Sequence, residues 1–484
     1  MKKVLAMLLV LAMVCGMLVG CSSGTKETTD GGTGAAPTKA ADNTEEPTNP
    51  AENAKEDTIT LMVPPVSATY LEKVRVWADE FHQLYPNLTI EIIETSWDDH
   101  AEKLSTMALA GEAPDIAEVS YSMIGTYAEL GVGINILDYM DEAALADFDK
   151  NALDYMSLEG KTYGLPLYLS IQAIGGNKEM LEEAGVDVLD VQQNGWTFEE
   201  FKTAIANGTK DNRFGFVFAT SAVTASDMLN IFGISAGLNN AFTPELKYAY
   251  TSSNMLTFLQ AIEEISASGY MPNYGVDASQ RMVMCQTGNA MIFGKAMPLF
   301  EGNINKNNAA LEAKDGTAVE GSIPVQYAYL PIPTMNGITE SCFGTVDGLM
   351  AFRNTKTTDE HLANVMLAMN YLCSGKIAAD VASELYLDAV CESGRAVIGD
   401  YLVEGRDENN LASASRQMGL VVAPPTGLTA DMSSKAATLM EQVIAPKLQA
   451  LLAGEVTAQA MYDEICKAAY KEFGQENCVS GAIQ

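Results

Sequence analysis

The chain has 484 residues, 48% of them hydrophobic, and a formal net charge of −34. So acidic a chain lacks the basic patches through which nucleic acid and anionic lipid headgroups are bound, and neither is expected as a partner. Its length exceeds what one compact core sustains and suits two lobes.

Lys2 and Lys3 precede an almost unbroken apolar run from Val4 to Val14, and Leu18-Val19-Gly20-Cys21 closes it, the pattern of an export signal. The closing residues resemble a bacterial lipobox. That resemblance implies a signal peptide at 1–20, a mature chain starting at Cys21, and a diacylglycerol on the Cys21 sulfur. The chain would then be lipid-anchored on the extracellular face of the cell membrane. An ordinary signal peptide cut elsewhere, or an uncleaved membrane helix, are the alternatives. From Ser22 to Thr58 there is no Leu, Ile, Val, Phe, Met, Trp or Tyr. Such a segment cannot offset its ordering entropy by burial, so 21–56 is expected to be a disordered tether.

Ile59 to Val63 reads as a strand ending at Pro64-Pro65. Leu71, Val74, Trp77, Phe81 and Leu84 recur at helical spacing before Pro86. Leu88, Ile90 and Ile92 alternate as a strand, Ala101, Leu104, Met107 and Ala108 mark a helix ending near Gly111, and Ile116 to Val119 is a third strand. This βαβαβ order implies an α/β fold with a parallel sheet, in which ligands bind at the carboxyl ends of the strands. Gly160-Lys161 forms a turn before the extended run Tyr163 to Tyr168. A second apolar run spans Ser170 to Ile174, and Asn177 opens a helix.

Gly160-Lys161, Tyr163-Gly164, Pro166, Asn177-Lys178-Glu179, Ala184-Gly185-Val186-Asp187 and Trp196-Thr197-Phe198-Glu199-Glu200-Phe201 follow one another in an order and spacing that resembles the extracellular solute-binding proteins of ABC sugar importers, the maltose-binding-protein-like family. Phe81 to Asn87, Trp97 with Lys103-Leu104, and Gly111 to Ile116 extend the likeness upstream. Phe214-Gly215-Phe216, Gly288 to Ile292, Leu330 to Pro333 and Leu452 to Thr457 extend it downstream.

The resemblance implies a two-lobed periplasmic-binding-protein-like fold of type II, two doubly wound sheets joined by a multi-crossing hinge. The crossings would fall near Leu169-Ser170, Gly344-Thr345 and Leu387 to Ala389. Lobe one would be 57–169 with about 346–388, lobe two 170–345 with about 389–474, and 475–484 a C-terminal tail. It implies a non-catalytic receptor for a sugar or oligosaccharide, partnered by ABC permease subunits and using no cofactor. Receptors for other small polar solutes, such as a peptide or polyamine, and a tethered polysaccharide hydrolase remain open beside it.

A sugar offers a face of C–H bonds and a rim of hydroxyls, which call for aromatic rings with a few carboxylates, amides or cations. By the family pattern the candidates are Ser67 and Tyr70 after the first strand, Trp97 and Asp98 after the second, and Tyr121 after the third. Tyr168, Ser170 and Gln172 lie at the first crossing, Phe293 and Lys295 after Met291, and Asp347 beside the second crossing. Each has a structural alternative: Trp97 packing its helix, Asp98 capping it, Tyr168 in the core. Trp77 and Trp196 read as structural.

Other chemistry finds little support. Gly233-Ile234-Ser235-Ala236-Gly237 matches a nucleophile elbow in letters, but what precedes it reads as a helix end and the downstream histidine, His361, sits in a helical stretch. Gly160-Lys161-Thr162 lacks the earlier glycine of a phosphate loop, since position 155 is Tyr155. Glycosidase chemistry needs two facing carboxylates, and a chain with 63 acidic residues leaves that open. No zinc site is expected from His82, His100 and His361, which have no nearby cysteine. Cys285, Cys342, Cys373, Cys391, Cys466 and Cys478 show no disulfide framework and read mostly as buried thiols.

Overall fold

The computed structural model describes residues 55–483 apart from 68, 211, 220–224 and 278, so the export signal, Cys21 and nearly all of the tether lie outside the described residues. Strand β1 (Asp57–Val63), helix α1 (Tyr70–Leu84), β2 (Leu88–Glu94), α2 (Trp97–Ala110) and β3 (Ile116–Ser120) follow in the expected alternation. β1 lies between β2 and β3 and runs parallel to both. α1 forms because Val74, Trp77, Ala78 and Phe81 share one buried face. It ends where Pro86 pushes residue 85 out of the helical region. α2 starts at Ser96, whose Oγ accepts the Asp99 N–H at 3.1 Å. It stops at Gly111, in the left-handed region at φ 74°.

β3 runs directly into α3 (Tyr121–Glu129). After it come a small hairpin of β4 (Ser157–Leu158) and β5 (Lys161–Thr162), then β6 (Gly164–Asn177), β7 (Phe214–Val217), β8 (Ala290–Ala296), β9 (Tyr327–Leu330) and β10 (Phe343–Ala351). The strand order is β2-β1-β3-β10-β6-β8-β7, with β9 also on β6. β6 is the joint of the molecule. From Gly164 to Gln172 it pairs antiparallel with β10, which in turn pairs with β3. From Ala173 onward it pairs with β8 and β9 instead. Two sheets thus share one strand, the architecture of the two-lobed α/β fold. The two apolar runs seen in the sequence are one strand of 14 residues. Its entry is tight: a Cβ on Gly164 would lie 2.2 Å from the Leu349 carbonyl oxygen, so only glycine fits.

The second half of the molecule has its own aromatic core. Phe201 is fully buried and meets Trp196, Phe216 and Phe232 with ring centroids 5.3 to 5.5 Å apart. The Trp-Thr-Phe sequence serves this core. Trp196 donates its Nε1–H to the Pro331 carbonyl at 2.9 Å. Thr197 and Glu200 form a reciprocal capping box that starts the helix Phe198–Gly208.

Residues beyond β10 return to the first half. Glu392 N–H donates to the Asp147 carbonyl at 2.8 Å, and Arg395 bonds both Asp149 oxygens at 2.8 and 2.9 Å. The helix Glu408–Met418 then packs on the second half, where Asn410 bonds the backbone of Tyr327 and Tyr329. The six downstream cysteines are free thiols, five buried and Cys466 partly so. The serine of the nucleophile-elbow look-alike, Ser235, is fully buried in a short helical turn that follows the helical turn Met228–Phe232, so no strand presents it. Among the described residues, no helix is long and apolar enough to cross a membrane.

Candidate functional site

A cavity of about 780 Å³ lies between the two halves, against the start of β10. The first half supplies Tyr121 and Ser122 at the opening of α3 and Tyr155 at the end of the helix Lys150–Tyr155. β10 supplies Phe343, Gly344 and Thr345. The far wall carries Asn230, Asn239, Asn240 and Tyr250, together with Glu441 and Gln449 from the C-terminal helices. Tyr121 follows β3 without a linking loop, so the carboxyl end of that strand delivers it to the cavity. Tyr155 stands edge-on to Tyr121 at 5.4 Å and donates its hydroxyl to the Gly344 carbonyl at 2.7 Å, across the molecule's midline. Burial pushes the Tyr121 phenol up to about 12 and raises those of Tyr155 and Tyr250, so all three stay neutral. On the far wall, Asn239 Oδ1 accepts the Ser341 hydroxyl at 2.7 Å. Asn240 Nδ2 donates to the Val422 and Ala423 carbonyls at 3.3 Å. Flat rings beside fixed amides and hydroxyls can hold a polar ligand that has an apolar face, with hydrogen bonds setting its orientation.

A second cluster is buried where β3, β10 and β6 meet. Glu118, 1% exposed, accepts the Tyr70 hydroxyl at 3.3 Å and the Tyr168 hydroxyl at 3.4 Å. Asp347 sits opposite Tyr168 across the β10–β6 pairing and opposite Ser120 across β10–β3. Burial raises the Asp347 carboxyl from 3.8 to about 7. Burial and then the Asp347 charge hold the Glu118 carboxyl well above its usual range.

The expected site residues separate into groups. Tyr121 lines the cavity. Ser170 and Gln172 lie on β6, opposite Thr345 and Phe343 of the cavity wall. Buried Tyr70 and Tyr168 and the half-buried Asp347 belong to the acid cluster. Ser67 and Thr69 donate to Glu384, which also pairs with Lys73 at 2.7 Å, so this loop is fastened to the helix Gly375–Glu384. Lys295, at φ 50°, is the extra residue of the β6–β8 irregularity and pairs with Asp227 at 2.7 Å, one residue from Ser226 on the cavity wall. Phe293 is fully buried, stacked on Phe300 and beside Tyr327, away from the cavity. Trp97 and Asp98 open α2, and their side chains lie outside the described residues, as does Cys21. Sequence reasoning passed over Tyr155, Tyr250, Asn230, the tandem amides Asn239-Asn240, Glu441 and Gln449. Of these, the Asn-Asn pair just beyond Gly237 carried a visible signal, two short amides in a loop.

Residues 67–374 match the family described as bacterial extracellular solute-binding protein. Among curated proteins, the maltodextrin-binding protein MdxE of Bacillus subtilis (strain 168) is 24% identical over 194 residues, 39% of this chain and 41% of that protein. A binding protein of Brucella abortus (strain 2308) is 29% identical over 117 residues, 24% of this chain. The chain thus matches 28% of the length of the Brucella protein and less than half of MdxE. Solved structures share the fold over far more of the chain. The cyclic alpha-maltosyl-1,6-maltose binding protein of Arthrobacter globiformis superposes with a TM-score of 0.67 at 17% identity, covering 87% of this chain and 99% of that one. The GacH receptor of Streptomyces glaucescens, solved unliganded and with acarbose, gives 0.65 at 17% identity over 87% and 100%.

Proposed function

Because this chain belongs to the bacterial extracellular solute-binding proteins, we propose that it is a non-catalytic receptor that captures a sugar or oligosaccharide between its lobes and hands it to an ABC permease. The observation that carries this is the cavity at the midline, where Tyr121, Tyr155, Tyr250 and Phe343 offer ring faces and Asn230, Asn239 and Asn240 offer amides. Maltodextrin and acarbose, named for the relatives, have the amphipathic chemistry that such a wall suits. A receptor role also fits the acids. Among the described lining residues Glu441 is the carboxylate, whereas glycoside hydrolysis requires a facing pair.

On this reading lobe one is 57–169 with about 346–388, and lobe two is 170–345 with the C-terminal helices. We put the third crossing in the stretch between Tyr401 and Asp407, a reading supported by the bonds from 392–395 to 147–149 and from Asp407 to Glu301. Closure of the lobes on a ligand would be the state that the permease recognises. A diacylglycerol on Cys21 would hold the receptor at the membrane, with 22–56 as its reach.

The experiment is thermal melting against a panel of sugars with product analysis. A receptor gains RT ln(1 + [L]/Kd), about 2.7 kcal/mol at a hundredfold excess over Kd, and leaves the sugar intact. New reducing ends would overturn the receptor reading. A shift with a peptide or polyamine, and none with sugars, would keep the receptor and replace its ligand class.

A further inference from the structure

The sheet beside the midline cavity has one polar face. Along β10, half-buried Phe343, Thr345 and Asp347 alternate with buried Gly344 and Val346, so the three side chains share one side of the strand. Phe343 and Thr345 line the cavity, and Asp347 is the next residue on that side. On β6, Gln172, Ser170 and Tyr168 stand opposite these three in register. β3 adds Ser120 opposite Asp347, with Glu118 two residues earlier on the same side. Ser120 Oγ bonds Ser122 Oγ at 2.9 Å, and Ser122 is again cavity wall. One polar floor thus runs from the tyrosine-lined cavity to the acid pair.

Among the described residues, this floor carries carboxylates without a cation to balance them. The groups that face Glu118 and Asp347 are the Tyr70 hydroxyl from α1 and the Tyr168 hydroxyl from β6, with the Cys373 thiol beside Tyr70. His100 reaches Glu118 at its backbone carbonyl, 2.7 Å away, and burial favours the neutral imidazole. Lys295 is taken by Asp227 at 2.7 Å. The described lining residues of the cavity include no Lys, Arg or His, and Glu441 among them makes no ion pair. A neutral hydroxyl could donate to the floor's carboxylates but would leave their charge unbalanced. An ammonium would balance it and gain a charge-assisted hydrogen bond, and tyrosine faces attract a cation as well as a C–H surface. Burial holds both carboxyls above their ordinary range, and a nearby cation would draw them back toward the ionised form.

We propose that the ligand is a basic saccharide, one that bears a protonated amine, with Asp347 as the counter-charge of the ammonium and Glu118 behind it. Glu441, on the cavity wall, adds to the same negative field. This deepens the sugar reading above and rests on it: the rings stack on the tyrosines, and the amine decides which sugar is taken.

The test is calorimetric titration at pH 6 with short β-1,4-linked glucosamine oligomers, their N-acetylated counterparts and neutral cello-oligosaccharides, which share a backbone and differ in charge. Spermidine serves as the cation without a ring. The free-amine series should bind at least about tenfold more tightly than the other two. Asp347→Asn should bring that ratio close to one, and Glu441→Gln, a surface change that leaves the floor intact, should reduce it in part. Melting curves establish that both variants are folded. Equal or tighter binding of the N-acetylated or neutral series overturns the amine while the sugar receptor stands. A preference that survives both substitutions overturns the part assigned to these acids. Binding of spermidine alone, or of nothing in the panel, overturns the sugar reading and this one with it.

Discussion

Replacing Asp347 with asparagine removes one charge from the place where β3, β10 and β6 meet, and the structure fixes how stability should respond to pH. The Asp347 carboxyl lies near 3.8 in an unfolded chain and is raised to about 7 here, with burial as the largest cause. Its folded value is above the unfolded one, so the folded state keeps a proton that the unfolded chain has already released. The stabilisation is complete below about pH 3.8 and is lost as pH rises through 7. At 1.36 kcal/mol per unit, the whole displacement is at most about 4 kcal/mol, and the two units from pH 5 to 7 account for about 2.7 kcal/mol of it. The asparagine side chain carries no titrating group. Urea unfolding of the unliganded parent and Asp347→Asn at pH 5 and pH 8 should therefore diverge. Between pH 5 and pH 8 the variant should gain about 2 to 3 kcal/mol on the parent, over and above whatever constant difference the amide introduces. Glu118, pressed in the same direction by burial and by Asp347, should titrate more easily in the variant. Parallel stability curves for the two proteins would refute the account.

His361 makes the opposite case. Its Nδ1 lies 2.9 Å from Asp57 and its Nε2 2.9 Å from Asp115, and these partners, Asp115 first, raise the imidazole from 6.5 to about 9. Its stabilisation is full below pH 6.5 and lost through pH 9. His361→Gln should cost at most about 3 kcal/mol at pH 6, with a deficit that shrinks by pH 9.5, and a pH-independent deficit in urea titrations would count against the ion pairs. Phe201→Ala empties the centre of the second half's aromatic cluster and should cost about 3–5 kcal/mol by chemical denaturation, whereas a loss under 1 kcal/mol would mean that this core is not close-packed there.

The elements that sequence patterning places well are those whose causes are local. α1 and α2 carry their own apolar stripe and their own stops at Pro86 and Gly111, and β1 to β3 are short apolar runs between them. β6 is buried along nearly its whole length, so it shows no alternation, and nothing in the sequence marks its change of partner strand between Gln172 and Ala173. The site was half legible for a related reason. Tyr121 follows the end of β3, where the sheet's geometry points to a ligand, whereas Asp347 lies mid-strand in β10, opposite the last residue of β3. Phe293 lies in the middle of β8 with its side chain in the core, and only the irregularity at Lys295 turns the next candidate outward. Glu441 and Gln449 come from helices that read as ordinary amphipathic surface, and nothing local marks them as cavity wall.

The pairing of β3 with β10 also sets the order in which the molecule can be assembled. Ser120 and Phe343, where the two strands end and begin, are 223 positions apart, and the whole of β6 to β9 lies between them in the chain. The first sheet therefore waits with an open edge on β3 until most of the polypeptide has emerged. Long-range pairing of this kind is slow, and an unpaired strand edge in the meantime invites other chains. Refolding from denaturant should show late protection of the β3 amides and strong sensitivity to protein concentration, even though β1 to β3 are made first.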